Sequence, residues 1–448
     1  MKKLIIFIIS FVILISVLIF PVSATYSDSV EIDAPVVYMV SADDDAAVIY
    51  NKGANERNDP GEIVKIVTGI LVIENCDDLK QKVTASGDAI SYVEFRGGTT
   101  AGILVGETMT VEELLYCTLV YNAADAAVVL SEFIAGNKDN FVDMMNEFAA
   151  KLGLQNTNFT NPVGYNDAEQ YSTASEIAAI YKYCIANPTF SQIISAFLYE
   201  MPATNKYTEK RYLKNTNNLI NSGINDYYFK YVKSGKSGYT AEKNGNSVSV
   251  ASKDGYNYIC VILNAEIKDF DSDGVDENMS FVGAKKLYDW VFDNIKLRVV
   301  CNTSTYVCEL KVRLSNEYDY ISLVPAESVS ALVPAGVNAE SVYIEPISEN
   351  TPDTVNAPVK KGDVLGRAAI KYAGSVVAEV DLVADFDIKV SVVKFIGDVI
   401  FKIVTHWIFI TIVCLTAIVV LPLCIISYRN KQKNLRRKKA KEIKDKRG

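Results

Sequence analysis

Hydrophobic and polar residues alternate along roughly the first two thirds of the chain in a way that predicts both strands and helices. Short apolar runs between turn residues indicate strands, whereas apolar residues repeated every three or four positions indicate helices. The predicted elements are strands at Val36–Val40 and Ala47–Tyr50, helices at Ile63–Asn75, Thr110–Ile134, Asn140–Leu152, Ser172–Ala186 and Gly283–Ile295, and a hairpin of Ser247–Ser252 with Tyr256–Leu263. Thr110 and Glu113 have the spacing of a capping box. This mixture predicts an α/β (α+β) domain over residues 25–297.

Downstream of this domain the pattern changes to short alternating runs punctuated by proline and glycine. Such runs are typical of strands, and they predict a small all-β domain over residues 298–386. In residues 387–404, apolar residues are mixed with lysine and aspartate. We expect an amphipathic stem that lies on a membrane surface there. A plain linker helix is the alternative.

Each end of the chain carries a long apolar segment. Residues 1–24 have the pattern of a secretory signal peptide: Lys2 and Lys3 precede an apolar stretch, and small residues before Ala24 predict cleavage after it. An uncleaved signal anchor is the alternative. Near the other end, Trp407–Ser427 is a run of 21 residues without a charge. This run is long enough for a bilayer span, so we predict a transmembrane helix over residues 405–428.

The segment after this span, residues 429–448, contains eleven lysine and arginine residues and only two acidic residues. By the positive-inside rule such a tail is cytoplasmic. The sequence therefore predicts a single-pass protein of the cell membrane, with its ectodomain outside the cytoplasm and its basic tail inside.

Composition narrows the classes of function. The chain has 448 residues, of which 49% are hydrophobic and 22% charged, so it is not a disordered protein. Residues 25–428 carry a net charge of about −20, which argues against nucleic acid as a partner. The single histidine, His406, excludes a Ser-His-Asp or Cys-His centre and a histidine-based zinc site in the ectodomain. Among the eight cysteines, Cys301 and Cys308 have a spacing that suggests a local disulfide.

A series of short motifs, collinear over roughly residues 34–385, resembles the D-alanyl-D-alanine carboxypeptidases. These are low-molecular-mass penicillin-binding proteins that trim cell-wall peptides. The matching motifs lie at Tyr50–Arg57, Val64–Thr68, Gly106–Glu107, Thr110–Tyr116, Asp125–Ala127, Asn161–Pro162, Tyr171–Ala174, Asn215–Asn217 and Lys236–Thr240, and in the β-rich region at Val359–Gly366 and Val380–Ala384. The resemblance implies a penicillin-recognising, β-lactamase-like domain followed by a small β domain, with peptidoglycan stem peptides as partners.

That family uses three groups, a Ser-x-x-Lys, a Ser-x-Asn and a Lys-Thr/Ser-Gly. The lysine of the first activates the serine nucleophile, the second relays protons and holds the substrate, and the third binds the terminal carboxylate. Here Lys65 is in place, but Glu62 stands where the resemblance implies the serine. Asn122 and Ala124 stand in place of the Ser-x-Asn residues. The third motif is retained as Lys236, Ser237 and Gly238.

These departures predict loss of carboxypeptidase turnover, because removing the nucleophile of a serine hydrolase costs on the order of 10⁶ in kcat. The only Ser-x-x-Lys in the chain is Ser391 with Lys394, in the stem. We expect Glu62 to pair with Lys65, and also with Lys236, and the protein to act as a wall-peptide binder or as a scaffold for an unidentified protein partner. One alternative is a working carboxypeptidase in which Glu62 and Lys65 activate water. Another is a purely structural surface protein with a closed groove.

One motif is independent of the resemblance. Asp269, Asp271 and Asp273, followed by Gly274, match the start of a calcium-binding loop. The twelfth position is Ser280 instead of a bidentate glutamate, so the match is partial. An acidic solvated turn is the alternative, and no other cofactor is predicted.

Overall fold

The structure is a computed structural model that describes residues 30–43, 47–222, 226–240, 242–272, 274–336, 341–372 and 375–445. The predicted signal peptide lies outside the described residues, and so does Asp273. The chain divides into two compact units. The first comprises residues up to Arg298 with Ser330–Tyr343 and Lys371–Ala378, and the second comprises the remainder.

A five-stranded antiparallel sheet organises the first unit, in the order β2-β1-β9-β8-β7. Its strands are β1 (Val36–Ser41), β2 (Val48–Lys52), β7 (Val232–Tyr239), β8 (Gly245–Lys253) and β9 (Tyr256–Ala265). Three two-stranded pairs lie outside it: β3 (Lys82–Thr84) with β4 (Thr108–Thr110), β5 (Leu198–Met201) with β6 (Arg211–Lys214), and β10 (Ile267–Lys268) with β11 (Glu277–Asn278). Strand β7 forms one edge of the large sheet, and this edge carries the Lys236-Ser237-Gly238 motif.

The first unit contains eight helices among its described residues. They are α1 (Lys65–Asn75), which a 3₁₀ turn at Gly61–Val64 precedes, α2 (Gly87–Glu94), α3 (Val111–Leu119), α4 (Ala124–Ala135), α5 (Lys138–Lys151), α6 (Ala174–Ala186), α7 (Pro188–Ile194) and α8 (Met279–Asn294). Apolar side chains of α1 to α7 share one core cluster with residues of the sheet, and those of α8 share a second cluster with other residues of the sheet. Both faces are therefore buried, which is why β9 is apolar from Tyr258 to Leu263: Val261 belongs to one core cluster and its neighbours Cys260 and Ile262 to the other.

Most predicted elements are confirmed with small shifts in their ends. The strands, the hairpin of β8 with β9 and the helices α1, α5 and α8 occur where the pattern placed them. The predicted capping box at Thr110 and Glu113 is present. Helix α6 begins at Ala174, and its N-cap is Thr173, one residue after Ser172.

The prediction of one continuous helix over Thr110–Ile134 was wrong. The structure has α3 and α4 there, separated by residues 120–123. Asn122 interrupts the helix because its φ of 69° lies in the left-handed region.

The second unit is built around β-strands, as predicted for the region after residue 298. A six-stranded sheet has the order β16-β18-β19-β14-β13-β17. The strands downstream of α8 are β12 (Ile295–Cys301), β13 (Cys308–Arg313), β14 (Tyr320–Pro325), β15 (Val329–Pro334), β16 (Val342–Pro346), β17 (Thr354–Asn356), β18 (Val364–Tyr372) and β19 (Ser375–Ala384). Cys301 and Cys308 are both free thiols, so the predicted disulfide is absent.

Two helices close the chain, α9 (Val392–Thr405) within the predicted stem and α10 (Trp407–Asp445) after it. Helix α9 exposes Val393, Phe395, Ile396 and Phe401. Within α10, residues Phe409–Arg436 form the one helix among the described residues that is long and apolar enough to cross a membrane.

Candidate active site

The 3₁₀ turn before α1 places Glu62 and Lys65 against the end of β7. Gly61 has a φ of 50°, and a Cβ atom on it would lie 2.4 Å from the carbonyl oxygen of Tyr239. Only glycine fits this approach, because both the left-handed backbone and the contact exclude a side chain. The turn is anchored further by Asp59, whose carboxylate accepts the Gly61 N–H at 2.9 Å.

Glu62 and Lys65 form a salt bridge, as predicted. The Lys65 Nζ lies 3.2 Å from Glu62 Oε1, and Lys65 is completely buried. Burial lowers the pKa of the Lys65 amine, while the neighbouring carboxylates of Glu62 and Asp125 oppose this effect. Within the described part of the chain, Glu62 is the only hydrogen-bond partner of the Lys65 amine.

The second oxygen of the Glu62 carboxylate also has a donor. Glu62 Oε2 accepts the backbone N–H of Tyr239 at 3.3 Å. Each carboxylate oxygen is thus bound, one to a buried ammonium group and one to a main-chain amide. Tyr239 was not among the predicted site residues. Its position directly after the Lys236-Ser237-Gly238 motif is the signal that could have identified it.

Lys236 lies on β7 and is almost completely buried. Its Nζ donates to the carbonyl oxygens of Thr118 at 3.0 Å and Leu119 at 3.2 Å, at the end of α3. Burial lowers the pKa of the Lys236 amine well below its usual range; the charge of Lys65 lowers it further and that of Glu62 opposes. The predicted ion pair between Glu62 and Lys236 is not formed, since no carboxylate in the described ranges lies within 4.0 Å of this amine.

Ser237 and Gly238 complete the retained motif. The Ser237 hydroxyl lies 3.4 Å from the Thr216 hydroxyl, which belongs to the Asn215–Asn217 segment. A Cβ atom on Gly238 would lie 2.6 Å from the Cβ of Glu62. Strand β7 therefore packs directly against residue 62, and this packing requires glycine at position 238.

Asn122 and Ala124 lie in and just after the break between α3 and α4, and both are buried. The Oδ1 atom of Asn122 is buried without a hydrogen-bond partner among the described residues. The next residue, Asp125, accepts the backbone N–H groups of Ala101 and Ile103 at 3.0 Å each. This carboxylate fixes the segment around residue 102 and adds negative charge near Lys65.

The structure therefore brings the predicted residues into one region, since Glu62 contacts Lys65 and Gly238, and Lys236 binds the end of α3 that leads into Asn122. The Lys65 amine, to which the family resemblance assigns the activation of a serine, is hydrogen-bonded to a carboxylate here. The Tyr239 N–H is already bound to Glu62, and the Ser237 hydroxyl remains as a donor that suits an anionic or carbonyl group.

The acidic loop lies apart in sequence from these residues. Carboxylate oxygens of Asp269, Asp271 and Glu277 all lie within 4.8 Å of one another. Glu277 joins the set in place of the missing twelfth-position ligand, and carboxylate oxygens are ligands that calcium prefers. The calcium interpretation stays a prediction.

Comparison with known proteins identifies the family. Residues 23–267 match the D-alanyl-D-alanine carboxypeptidase family, and residues 305–390 match the penicillin-binding protein 5 C-terminal domain. The D-alanyl-D-alanine carboxypeptidase DacF of Bacillus subtilis is 30% identical over 346 residues, which cover 77% of this chain and 84% of the relative. The chain belongs to the D-alanyl-D-alanine carboxypeptidase family, whose members are low-molecular-mass penicillin-binding proteins.

Solved structures confirm the fold. Penicillin-binding protein 5 of Haemophilus influenzae superposes with a TM-score of 0.58 at 24% identity, covering 80% of this chain and 98% of that one. The D-alanyl-D-alanine carboxypeptidase DacD of Francisella tularensis gives a TM-score of 0.64 at 19% identity, covering 81% and 95%. The predicted fold class and the predicted resemblance are both confirmed.

Proposed function

We propose that this chain is a membrane-tethered member of the family that has lost acyl-enzyme turnover and binds peptidoglycan stem peptides or scaffolds a partner protein. One observation carries the proposal: the buried Lys65 amine is hydrogen-bonded to Glu62 Oε1 at 3.2 Å, and no hydroxyl in the described chain takes that place. The hydroxyl group of a serine attacks efficiently only when a neighbouring base removes its proton. Loss of the serine nucleophile lowers the turnover of a serine hydrolase by about 10⁶-fold.

The retained groups support binding. The family acts on peptidoglycan stem peptides. Lys236 and Ser237 keep the motif that the family resemblance assigns to the terminal carboxylate, and both lie on the edge strand β7. Binding of a peptide carboxylate by Lys236 and Ser237 does not require a nucleophile. The chain can therefore bind a peptide end without cleaving it.

The proposed cellular arrangement follows from the ends of the chain. A cleaved signal peptide at residues 1–24 exports the ectodomain, α10 anchors it in the cell membrane, and the basic tail at residues 429–448 stays in the cytoplasm. The apolar side chains that α9 exposes support a stem lying on the membrane surface.

Covalent labelling tests the loss of turnover. The full chain in detergent is incubated with a fluorescent penicillin and separated on a denaturing gel, with an active penicillin-binding protein as positive control. We expect no labelled band, because labelling requires an acyl-enzyme. A band that survives denaturation and is competed by unlabelled penicillin contradicts the proposal.

A second candidate function is carboxypeptidase activity through water. The Glu62 and Lys65 pair, with a lowered amine pKa, is the observation that favours it. Release of D-alanine from a stem pentapeptide, lost in Glu62→Gln, would establish this route. We expect no release, because both Glu62 oxygens are already bound to donors.

Binding of muropeptides separates the binder from the scaffold. We expect binding by the wild-type chain and its loss in Lys236→Ala, with folding of the variant checked by circular dichroism. Wild-type protein that binds no muropeptide leaves the scaffold as the function.

A further inference from the structure

The Glu62 side chain is held in the manner of a bound ligand. One oxygen accepts from Lys65 Nζ at 3.2 Å and the other from the Tyr239 N–H at 3.3 Å. Lys65 is completely buried, so its ammonium group has lost its water and gains most from a neighbouring anion. Two donors that converge on the two oxygens of one carboxylate make a binding site for that group.

Backbone packing positions the Tyr239 N–H, and Lys65 is held by its complete burial. A Cβ atom on Gly61 would lie 2.4 Å from the Tyr239 carbonyl oxygen, and one on Gly164 would lie 2.1 Å from the Gly61 carbonyl oxygen. These backbone contacts hold the turn between β7 and the loop that contains Gly164. We therefore expect shortening of the Glu62 side chain to leave the Tyr239 N–H in place, with the buried Lys65 amine beside it, as a preorganised site requires.

We propose that Lys65 Nζ and the Tyr239 N–H, here called the carboxylate hole, form an anion-binding site whose resident ligand is Glu62. An external carboxylate enters the carboxylate hole only when the Glu62 side chain is withdrawn or removed. The external ligand is a small monocarboxylate or, in a step that rests on the proposed function, the C-terminal carboxylate of a wall peptide, which then lies at Lys65 instead of at Lys236 and Ser237. Tethering gives Glu62 an effective concentration in the millimolar range or above, so the wild-type hole resists dilute ligands.

Thermal unfolding with added acetate tests the carboxylate hole. Full-length wild type, Glu62→Ala and Glu62→Gln are compared in sodium acetate up to about 200 mM and in sodium chloride of equal ionic strength. We expect Glu62→Ala to lower Tm by about 3–8 °C, because Lys65 loses its partner. Acetate then raises the Tm of this variant by about 3–5 °C in a saturable manner, whereas chloride does not.

Two controls show whether the effect belongs to the hole. Glu62→Gln fills the space with an amide of the same shape, so acetate is expected to leave its Tm unchanged, as in the wild type. In the double variant Glu62→Ala with Lys65→Met, we expect acetate to leave Tm unchanged, because the positive charge of Lys65 is gone. If Glu62→Ala does not fold, Glu62→Ser serves as the truncated variant.

The inference is overturned if acetate raises the wild-type Tm equally, if chloride acts as acetate does, or if no truncated variant responds. D-alanyl-D-alanine, added to Glu62→Ala, separates this inference from the proposed function. A response to acetate without one to the dipeptide supports the hole and overturns its use for peptide ends. Muropeptide binding by the wild type without an acetate response in Glu62→Ala supports the proposed function and overturns the hole.

Discussion

A side chain at position 238 would collide with Glu62, since a Cβ atom on Gly238 lies 2.6 Å from the Cβ of Glu62. Strand β7 and the turn that carries Glu62 are in direct contact, and a methyl group has no space there. We expect Gly238→Ala to lower the free energy of unfolding by about 1–3 kcal/mol, the usual cost of overpacking. Urea denaturation measures this loss.

Gly87→Ala is the matched control, because a Cβ atom on Gly87 meets no atom within 4 Å. Removing the colliding atom with Glu62→Gly is expected to reduce the cost of Gly238→Ala, since contacting residues couple. An equal cost in both backgrounds would show that the two positions do not contact each other.

Helix α1 and its lysine could be predicted from local sequence, because apolar spacing fixes the helix and its buried face. The break between α3 and α4 could not be predicted from local sequence. Its apolar pattern continues from one helix to the next, but the carbonyl groups of Thr118 and Leu119 accept from Lys236, which is 117 or more residues away in sequence. A local pattern carries no information on a contact of that range.

Some groups of the candidate site could be located from the sequence, and others could not. Glu62, Lys65 and Lys236 could be located because their side chains occupy motif positions. The Tyr239 donor was missed, since a main-chain N–H has no residue-type signature and only its position directly after the Lys236-Ser237-Gly238 motif points to it. The expected pairing of Glu62 with Lys236 was wrong because charge alone does not specify geometry, and two carbonyl groups bind that amine instead.

Restoring the family motifs tests whether their loss explains an inactive site. Groups that act as a unit contribute non-additively, so Glu62→Ser alone is expected to be labelled only very slowly by fluorescent penicillin. The triple variant Glu62→Ser, Asn122→Ser, Ala124→Asn is expected to label at least about 10²-fold faster than the single variant. A time course of covalent labelling measures both rates.

Lys65→Met in the triple variant is the control and is expected to abolish labelling, because the base is gone. The triple variant also loses about 1 kcal/mol, since serine is strained at the left-handed φ of 69° that Asn122 adopts. Equal labelling of the single and triple variants would show that Asn122 and Ala124 are not part of the site.

The buried lysines predict a pH dependence of stability. Burial lowers the pKa of Lys236 in the folded chain, whereas the unfolded chain keeps the ordinary value near 10.4. Between these two values the unfolded chain binds more protons, so the free energy of unfolding rises with pH. We expect the wild type to gain stability over Lys236→Met as the pH rises towards about 10.4 in urea denaturation.

Lys210→Met removes an exposed lysine and controls for the loss of one positive charge. A difference between wild type and Lys236→Met that stays constant as the pH rises would mean that the pKa of the Lys236 amine is not shifted by burial.

Asp125 holds the segment around residue 102 through two hydrogen bonds to its main chain. Its carboxylate oxygens accept the N–H groups of Ala101 and Ile103, and its side chain is buried. Asp125→Asn keeps the size but removes the charge and one acceptor, so we expect a loss of about 2–3 kcal/mol in the free energy of unfolding. Amide hydrogen exchange of residues 101 and 103 is expected to accelerate more than that of β9. Uniform acceleration throughout the first unit would indicate global destabilisation instead of release of this segment. Asp88→Asn, a change in the first turn of α2, is the control for the loss of one aspartate.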